Sequence, residues 1–277
     1  MSAEVAAQVS GQGPPLVLLH GFTGSASAWG DVARRLARQR RVIAFDLPGH
    51  GLASIPRDPG HARLPDVAGA LVRALAALGV DEADWVGYSM GARTALQVAA
   101  DHPDAVRALV LESGSPGIAD SVERAARAAA DARLAEAIER DGIERFVDAW
   151  LAQPLFASQA SLPDDVRARE RARRLDGRAA GYAASLRAMG TGTQEPLWER
   201  LGGVRSRTLL LAGALDVKYC AIAHAMAAAL PDARLAIVRG AGHAVYLERP
   251  DSWLDAVEPF LDGTRASAHA ASAVLSA

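Results

Sequence analysis

The feature that most constrains this chain is a series of short apolar runs, each followed by a polar or glycine-rich turn. In every run, the residues that would point to either face of a strand are apolar, which is typical of strands buried on both faces. The stretches between the runs carry apolar residues at helical spacing. This alternation predicts an α/β fold with a mostly parallel sheet flanked by helices. The runs span residues 16–20, 42–45, 84–88, 108–111, 208–212 and 235–238.

The alternation stops between Pro116 and Pro196 and resumes at Arg207. The intervening stretch has helical periodicity and no strand pattern, which predicts a helical cap over residues 116–196 inserted into a single domain. That domain would consist of residues 1–115 and 197–262. Residues 263–277 are low in complexity and are predicted to form a disordered tail.

Composition excludes several classes of protein. The 277 residues are 50% hydrophobic and 22% charged with a formal net charge of −2, as expected for an ordinary globular protein without a nucleic-acid partner. No apolar stretch approaches the roughly 20 residues needed to cross a bilayer, and the N-terminus lacks a signal pattern. We therefore expect a cytoplasmic protein with no membrane insertion. The single cysteine, Cys220, excludes an internal disulfide and a cysteine-based metal site.

The peptide Gly87-Tyr88-Ser89-Met90-Gly91 has the spacing of a nucleophile elbow. It begins at the end of an apolar run, and a helix-forming run, residues 92–100, follows it. A sharp strand-to-helix turn brings backbone segments close together, and glycines two residues before and after the serine leave room for them. We interpret the fold as an α/β-hydrolase fold with Ser89 as its reactive residue.

A serine hydroxyl needs a base, and the base needs an acid that holds it in the correct tautomer. His243 follows the last apolar run, and Asp216 follows the run before it. The order Ser, Asp, His is the chain order of this fold, and each residue follows the carboxyl end of a predicted strand. We predict the triad Ser89, Asp216 and His243, with Glu112 as the alternative acid.

Two backbone N–H groups, those of Met90 and Phe22, are predicted to form an oxyanion hole. Met90 directly follows Ser89, and Phe22 lies in the loop after the first apolar run. Gly21 would allow this loop to pass close to the serine. An ordinary turn at a strand end is the alternative interpretation.

From about Pro14 to Leu261 the chain resembles the 2-succinyl-6-hydroxy-2,4-cyclohexadiene-1-carboxylate synthases of menaquinone biosynthesis. Some of the shared motifs occur widely among α/β-hydrolases, whereas the arginine after the elbow and the cap motifs are more specific. The motifs are His20-Gly21-Phe22-Thr23-Gly24-Ser25 with Trp29, Asp46-Leu47-Pro48-Gly49-His50-Gly51, Gly87-Tyr88-Ser89-Met90-Gly91-Ala92-Arg93, Trp150 with Gln153-Pro154-Leu155-Phe156, and Leu186-Arg187-Ala188-Met189-Gly190-Thr191-Gly192.

The resemblance implies a carbon–oxygen lyase that needs no metal or organic cofactor. It would eliminate pyruvate from 2-succinyl-5-enolpyruvyl-6-hydroxy-3-cyclohexene-1-carboxylate, with Ser89 as a base activated by His243 and Asp216. The oxyanion hole would then stabilise an enolate. The partner would be a small-molecule polycarboxylate, and arginine suits bidentate carboxylate binding. The resemblance assigns substrate binding to Tyr88, Arg93, Arg127, Trp150, Arg174 and Lys218, which is the only lysine.

Each of four of these residues could instead have a purely structural role. Arg127 could form an ion pair with Asp131, one helical turn further on. Arg174 ends a charge run that is typical of a solvated helix face, and Trp150 has the spacing of a cap core residue. Arg93 could pack against the sheet edge.

Two other functions are compatible with a triad, because one fold serves many reactions. A serine hydrolase acting on a carboxylate-bearing ester or a carbon–carbon bond would use Ser89 as a nucleophile. A non-catalytic ligand-binding relative would not require all three triad residues. The chain departs from the family pattern twice: Ala92 replaces a third glycine, and the segment 213–216 lacks a glutamate that commonly follows its glycine.

Overall fold

The computed structural model describes residues 4–263, except residues 57, 59 and 61. Its sheet has seven strands in the order β1-β3-β2-β4-β5-β6-β7, and β1 alone among them runs antiparallel to its neighbour. The six predicted strands and the α/β class are confirmed. The strands are β1 Ala6–Ser10, β2 Pro15–Leu19, β3 Arg41–Asp46, β4 Ala83–Tyr88, β5 Val106–Glu112, β6 Arg207–Gly213 and β7 Ala233–Val238.

Strand β1 was not among the predicted strands. It lies at the sheet edge, paired with β3, and four of its five residues are exposed. An edge strand of this kind is held by main-chain hydrogen bonds to one neighbour, so its sequence carries no apolar pattern. The predicted tail, residues 263–277, lies outside the described residues apart from Gly263.

Helices cover both faces of the sheet. Leu16 and Leu18 face the layer that contains α1 and α10, whereas Val17 and Leu19 face α2, α3 and α8. The alternation of a strand thus fills two separate hydrophobic cores. The α-helices of the described residues are α1 Gly30–Leu36, α2 Leu64–Ala77, α3 Met90–Asp101, α4 Ser121–Asp141, α5 Ile143–Leu151, α6 Asp164–Leu175, α7 Ala179–Met189, α8 Val217–Ala229, α9 Val245–Glu248 and α10 Pro250–Leu261.

The order of the strands changes direction beside β2. The chain passes from β2 to β3 on one side and then returns to place β4 on the other side, where Leu19 is in register with Gly87. In open α/β sheets, ligands bind outside the carboxyl ends of the strands at such a switch point. The loop after β2 and the elbow after β4 are therefore neighbours.

Helices α4 to α7 and a short 3₁₀ helix, Pro154–Ser161, fill the segment between β5 and β6. They share a small apolar cluster that includes Phe146, Val147 and Tyr182. The Tyr182 hydroxyl donates to the Thr23 carbonyl oxygen at 3.2 Å, which ties this segment to the loop after β2. The segment is helical as predicted, while its division from the core as a separate cap stays a prediction.

In the part of the chain that the structure describes, no helix has the length and apolar character required to cross a membrane.

Candidate active site

Ser89 stands between β4 and α3 with a backbone φ of 52°, a value that non-glycine residues rarely adopt. Its N–H donates to the Glu112 carbonyl oxygen at 2.8 Å, which anchors the turn to the neighbouring strand. Positive φ in a residue with a side chain stores strain that the surrounding structure must support. The observed turn has the geometry that the Gly-x-Ser-x-Gly sequence predicted.

The two elbow glycines are required by close backbone packing. A Cβ on Gly91 would lie 2.0 Å from the Leu19 carbonyl oxygen, and one on Gly87 would lie 2.3 Å from the Gly91 oxygen. Gly21 is equally restricted, since a Cβ there would lie 2.7 Å from the Tyr88 ring. These contacts hold the loop after β2 against the elbow, as predicted for Gly21.

The predicted triad residues lie together. His243 Nδ1 is 2.7 Å from Asp216 Oδ2, and His243 Nε2 is 3.0 Å from Ser89 Oγ. Because an ionised carboxylate only accepts hydrogen bonds, Nδ1 carries the proton and Nε2 is free to accept the serine proton. Both His243 and Asp216 are buried. The site is therefore arranged to activate the Ser89 hydroxyl.

The loops of the histidine and the aspartate have their own supports. The Ser113 hydroxyl donates to the His243 carbonyl oxygen at 2.8 Å. Asp216 caps α8 through Oδ1, which accepts the Tyr219 N–H at 3.2 Å, while Oδ2 meets the histidine. Glu112, the alternative acid, instead accepts from Trp253 Nε1 at 2.7 Å and from a backbone N–H, so its carboxylate is not beside the histidine.

The loop after β2 carries the second predicted oxyanion donor, and two buried histidines shape it. His20 Nε2 accepts the Leu47 N–H at 3.0 Å, and His50 Nε2 accepts the Thr23 N–H at 3.3 Å. Burial lowers the pKa of His20 to about 4 and that of His50 to about 3, so both rings are neutral at physiological pH. They fix the loop and take no part in the triad.

Phe22 and Met90 both border the cavity in front of Ser89. Met90 is the first residue of α3, so its N–H has no intrahelical acceptor. Since β2 and β4 are adjacent, the two residues stand at neighbouring strand ends. Their N–H groups stay the predicted oxyanion donors.

A cavity of about 430 Å³ extends from the triad to the helices of segment 116–196. Five of the six residues predicted to bind substrate line it. The lining comprises Phe22, Tyr88, Ser89, Met90, Arg93, Arg127, Ala130, Asp131, Leu134, Trp150, Gln153, Leu155, Phe156, Ser185, Leu186, Met189, Gly190, Thr191, Lys218, Tyr219 and His243.

Arg93 lies in α3, one turn beyond Ser89, and two acceptors hold its guanidinium group. Its Nη1 donates to Gln194 Oε1 at 3.0 Å, and its Nη2 donates to the Met189 carbonyl oxygen at 2.8 Å. Burial lowers the pKa of Arg93 to about 10, which leaves the group charged at neutral pH. No carboxylate is among these partners, so the positive charge is available to a ligand in the cavity.

Arg127 and Lys218 bring further positive charge to the cavity. Arg127 donates through Nε to Asp131 Oδ1 at 2.8 Å, which is the helical ion pair considered in the sequence analysis. Asp131 is also buried and accepts the Gly192 N–H at 3.3 Å. The Asp131 carboxylate therefore holds Arg127 at the cavity wall. Arg127 thus forms the helical ion pair and also lines the cavity.

Tyr88 and Trp150 supply aromatic walls. The Trp150 ring packs 5.2 Å from Phe22 and 5.8 Å from Phe156, between ring centroids. Its Nε1 is buried and has no hydrogen-bond partner among the described residues. Burial raises the pKa of Tyr88 well above its usual value, so its hydroxyl stays protonated. Both side chains offer donors as well as apolar surface.

Arg174 does not line this cavity. It is buried in α6, where its Nη1 donates to the backbone oxygen of Glu170 at 2.8 Å and to Glu170 Oε2 at 2.7 Å. The charge run is thus not a solvated face at this position, because Glu170 pairs with two arginines, Arg173 and Arg174. Substrate binding by Arg174 stays a prediction that this arrangement does not support directly.

Sequence reasoning missed three residues at the site: Asp131, Gln194 and Tyr219. The first two hold Arg127 and Arg93, and Tyr219 packs its ring 4.6 Å from His243, between centroids. Only the spacing of Asp131 from Arg127 gave a signal, and it favoured a surface ion pair. Among the described residues, no group of three His, Cys, Asp or Glu side chains could hold a metal ion.

Comparison with known proteins gives consistent results. A sequence profile of the alpha/beta hydrolase fold matches residues 14–250. A Bacillus subtilis (strain 168) protein whose name assigns it to the 2-succinyl-6-hydroxy-2,4-cyclohexadiene-1-carboxylate synthases is 39% identical over 91% of this chain and 93% of its own length. The synthase of that name from Escherichia coli O1:K1 / APEC is 32% identical, over 86% of this chain and 89% of its own.

Similarity extends to a solved structure. The structure of MenH from S. aureus superposes with a TM-score of 0.89 at 31% sequence identity, covering 94% of this chain and 98% of the other. The two chains therefore share one fold over nearly their whole lengths.

Proposed function

Because the chain belongs to the 2-succinyl-6-hydroxy-2,4-cyclohexadiene-1-carboxylate synthase family of α/β-hydrolases, we propose that Ser89, His243 and Asp216 perform the family's reaction in this cavity. The protein is a lyase of menaquinone biosynthesis. It eliminates pyruvate from 2-succinyl-5-enolpyruvyl-6-hydroxy-3-cyclohexene-1-carboxylate. The observation that carries the assignment of residues is an assembled triad that opens into a cavity bordered by Arg93, Arg127 and Lys218.

The proposed mechanism begins with proton transfer. Ser89 gives its proton to His243 Nε2 and removes the ring proton next to the succinyl ketone. The electron pair of the broken C–H bond moves to the ketone, whose oxygen becomes an enolate. The N–H groups of Phe22 and Met90 stabilise this oxygen in the same way that they would stabilise a tetrahedral oxyanion.

Elimination completes the reaction. The enolate re-forms the ketone, the electrons pass through the ring double bond, and the C–O bond to the enolpyruvyl group breaks. The leaving enolate takes up a proton and becomes pyruvate, with His243 as the available acid. No bond between Ser89 and the substrate is needed at any stage.

The cationic and aromatic side chains that line the cavity bind the substrate. The substrate carries several carboxylates, and a buried arginine with a planar fork binds a carboxylate through two parallel hydrogen bonds. Arg93 is held in a fixed orientation for this contact, and Arg127 and Lys218 add positive charge nearby. We take a small-molecule polycarboxylate as the partner of the protein and the cytoplasm as its location.

The test is a pyruvate-release assay with the enolpyruvyl cyclohexene substrate, followed in parallel by the absorbance of the cyclohexadiene product. Wild-type protein should release one pyruvate per product formed, and Ser89→Ala should release essentially none while keeping its fold. No pyruvate from micromolar wild-type protein would overturn the proposal.

A second measurement separates this lyase from a serine hydrolase. With p-nitrophenyl acetate, we expect little turnover and no burst of nitrophenol, since an elimination requires no acyl-enzyme. A burst equal to the enzyme concentration, combined with no pyruvate release, would instead identify Ser89 as the nucleophile of a hydrolase.

A further inference from the structure

Tyr219 occupies the first turn of α8, where the triad and the positively charged part of the cavity meet. It is half-buried and lines the cavity together with Arg93 and His243. The sequence motifs assign a role to its neighbour Lys218 and none to Tyr219 itself. Its surroundings connect it to both the catalytic residues and the binding residues.

The backbone and ring of Tyr219 contact two triad members. Its N–H donates to Asp216 Oδ1 at 3.2 Å, so the other carboxylate oxygen is left for His243. Its ring meets the His243 imidazole in a T-shaped arrangement at 4.6 Å between centroids. Such edge-to-face packing restricts the rotation of the imidazole.

The Tyr219 side chain lines the same cavity as Arg93 and Arg127. Burial raises the pKa of this phenol, although the positive charges of Arg93 and Arg127 act in the opposite direction. The phenol is therefore protonated at neutral pH and lies within electrostatic reach of both arginines. A neutral phenol beside a guanidinium is a donor to the same anion that the guanidinium attracts.

Arg93 can share a ligand with this hydroxyl. Its bonds to Gln194 and to the Met189 carbonyl oxygen occupy two of the five guanidinium donors. A carboxylate has about four lone-pair positions, so it can accept from a guanidinium and from a phenol together. Two donors from α3 and α8 then converge on one anion from different sides.

We propose that the Tyr219 hydroxyl and Arg93 bind the same substrate carboxylate, while the Tyr219 ring holds His243 in its catalytic orientation. Tyr219 is in this view a specificity-determining residue of the synthase. The proposal rests on the proposed function and adds a residue to its binding site.

Three variants test the two contributions of the side chain. Tyr219→Phe keeps the ring and removes the hydroxyl, so KM for the enolpyruvyl substrate should rise by roughly 10-fold to 100-fold with little change in kcat. Tyr219→Leu also removes the ring and should lower kcat in addition. Adding Tyr219→Phe to an Arg93→Ala protein should raise KM much less than in the wild-type background, because the shared carboxylate is already released.

Direct binding gives a readout that does not depend on turnover. Titration calorimetry with 2-succinylbenzoate, which has a succinyl ketone and a ring carboxylate but no leaving group, should give a Kd about 10-fold or more weaker for Tyr219→Phe. Wild-type protein that binds this probe through Tyr219 yet releases no pyruvate would contradict the proposed function alone. Unchanged KM and Kd in Tyr219→Phe, or equal effects in both Arg93 backgrounds, would overturn the assignment of Tyr219.

Discussion

Ser89 combines a strained backbone with an activated side chain, and its neighbours account for both. Its positive φ would cost about 1 to 3 kcal/mol in isolation, and it persists because the chain on each side is fixed. The glycines at 87 and 91 let the turn contact strand β2 directly, without intervening side chains. The strain therefore places the hydroxyl against His243 and the α3 N-terminus beneath it.

Arg93 is the proposed binding residue for which a single substitution is most informative. Arg93→Ala should lower kcat/KM, and the corresponding activation free energy should rise by about 2 to 4 kcal/mol. This is the cost of leaving a substrate carboxylate without its charged partner. Arg93→Lys should recover only part of this loss, because an ammonium cannot make the bidentate contact. Steady-state kinetics with the enolpyruvyl substrate measures both.

A matched control for this substitution is Arg187→Ala. Arg187 is an arginine of segment 116–196 that pairs with Glu139 at 2.6 Å and does not line the cavity. Its removal should change kcat/KM by less than two-fold. An equal loss in both variants would mean that overall charge, rather than a contact of Arg93, attracts the substrate.

Glu112 gives a prediction about pH. Burial raises the pKa of this carboxyl to about 8 in the folded protein, from an ordinary value near 4.5. Between these values the folded state binds more protons than the unfolded state, so Glu112 favours folding below about pH 4.5 and loses this contribution as pH rises through 8. Denaturant titrations should show that the stability of wild type relative to Glu112→Gln falls across this range.

The slope of that difference approaches about 1.4 kcal/mol per pH unit at most, since a single proton is involved. Glu136→Gln is a suitable control because Glu136 is exposed on α4. It should shift the unfolding free energy by less than about 0.5 kcal/mol at each pH. A stability difference for Glu112→Gln that does not change with pH would contradict the prediction.

At the scale of elements, the triad depends on how closely two strand-end loops approach each other. A Cβ on Gly213, at the end of β6, would lie 2.2 Å from the Gly242 carbonyl oxygen. This contact keeps the Asp216 segment beside the His243 loop, where the two side chains meet at 2.7 Å. The loops themselves, rather than regular helices or strands, therefore set the triad distance.

Gly213→Ala should separate these loops and lower kcat by at least about 10-fold, since a displacement of about 1 Å at a catalytic group can cost 100-fold. Gly202→Ala is the matched control, because a Cβ there meets no atom within 4 Å of the described structure. Its kcat should equal that of wild type. Kinetic measurement below the unfolding temperature of both proteins distinguishes them, and equal kcat values would show that the loops tolerate the extra carbon.

At the scale of the whole molecule, the carboxyl ends of the strands, where the triad lies, and their amino ends are stabilised in different ways. Asp84, near the amino end of β4, is completely buried and accepts from Arg40 at 2.9 Å and from Arg107 Nε at 2.8 Å. Arg40 also pairs with Asp262 at the end of α10. These ion pairs join strands β4 and β5 to the C-terminal helix far from the triad.

Asp84→Ala should therefore destabilise the protein without changing its chemistry. Removing one partner of a buried ion pair costs about 3 to 5 kcal/mol, and only the half-exposed Asp262 would then remain paired with the buried Arg40. Urea denaturation should show a lower midpoint, while kcat of the folded protein stays near the wild-type value. Asp31→Ala breaks an exposed pair with Arg34 and should leave the midpoint nearly unchanged.

Local periodicity and spacing were enough to predict much of this protein. Buried parallel strands are apolar on both faces, so their positions were evident, whereas the exposed edge strand β1 had no such pattern. Signals within a few residues also identified the elbow, the helical segment after β5 and each member of the predicted triad, Ser89, Asp216 and His243. Short-range signals of this kind can be recognised in the sequence without a three-dimensional structure.

Only the tertiary structure decided how the polar groups of the cavity are held and that Arg174 does not line it. Arg93, Gln194 and Tyr219 come from separate parts of the chain and converge through the packing of α3, the loop after α7 and α8. Arg174 was directed instead to Glu170 by its position on α6. The physical reason is that the direction of a long side chain depends on helix orientation and on nearby partners, and neither is encoded in residue spacing.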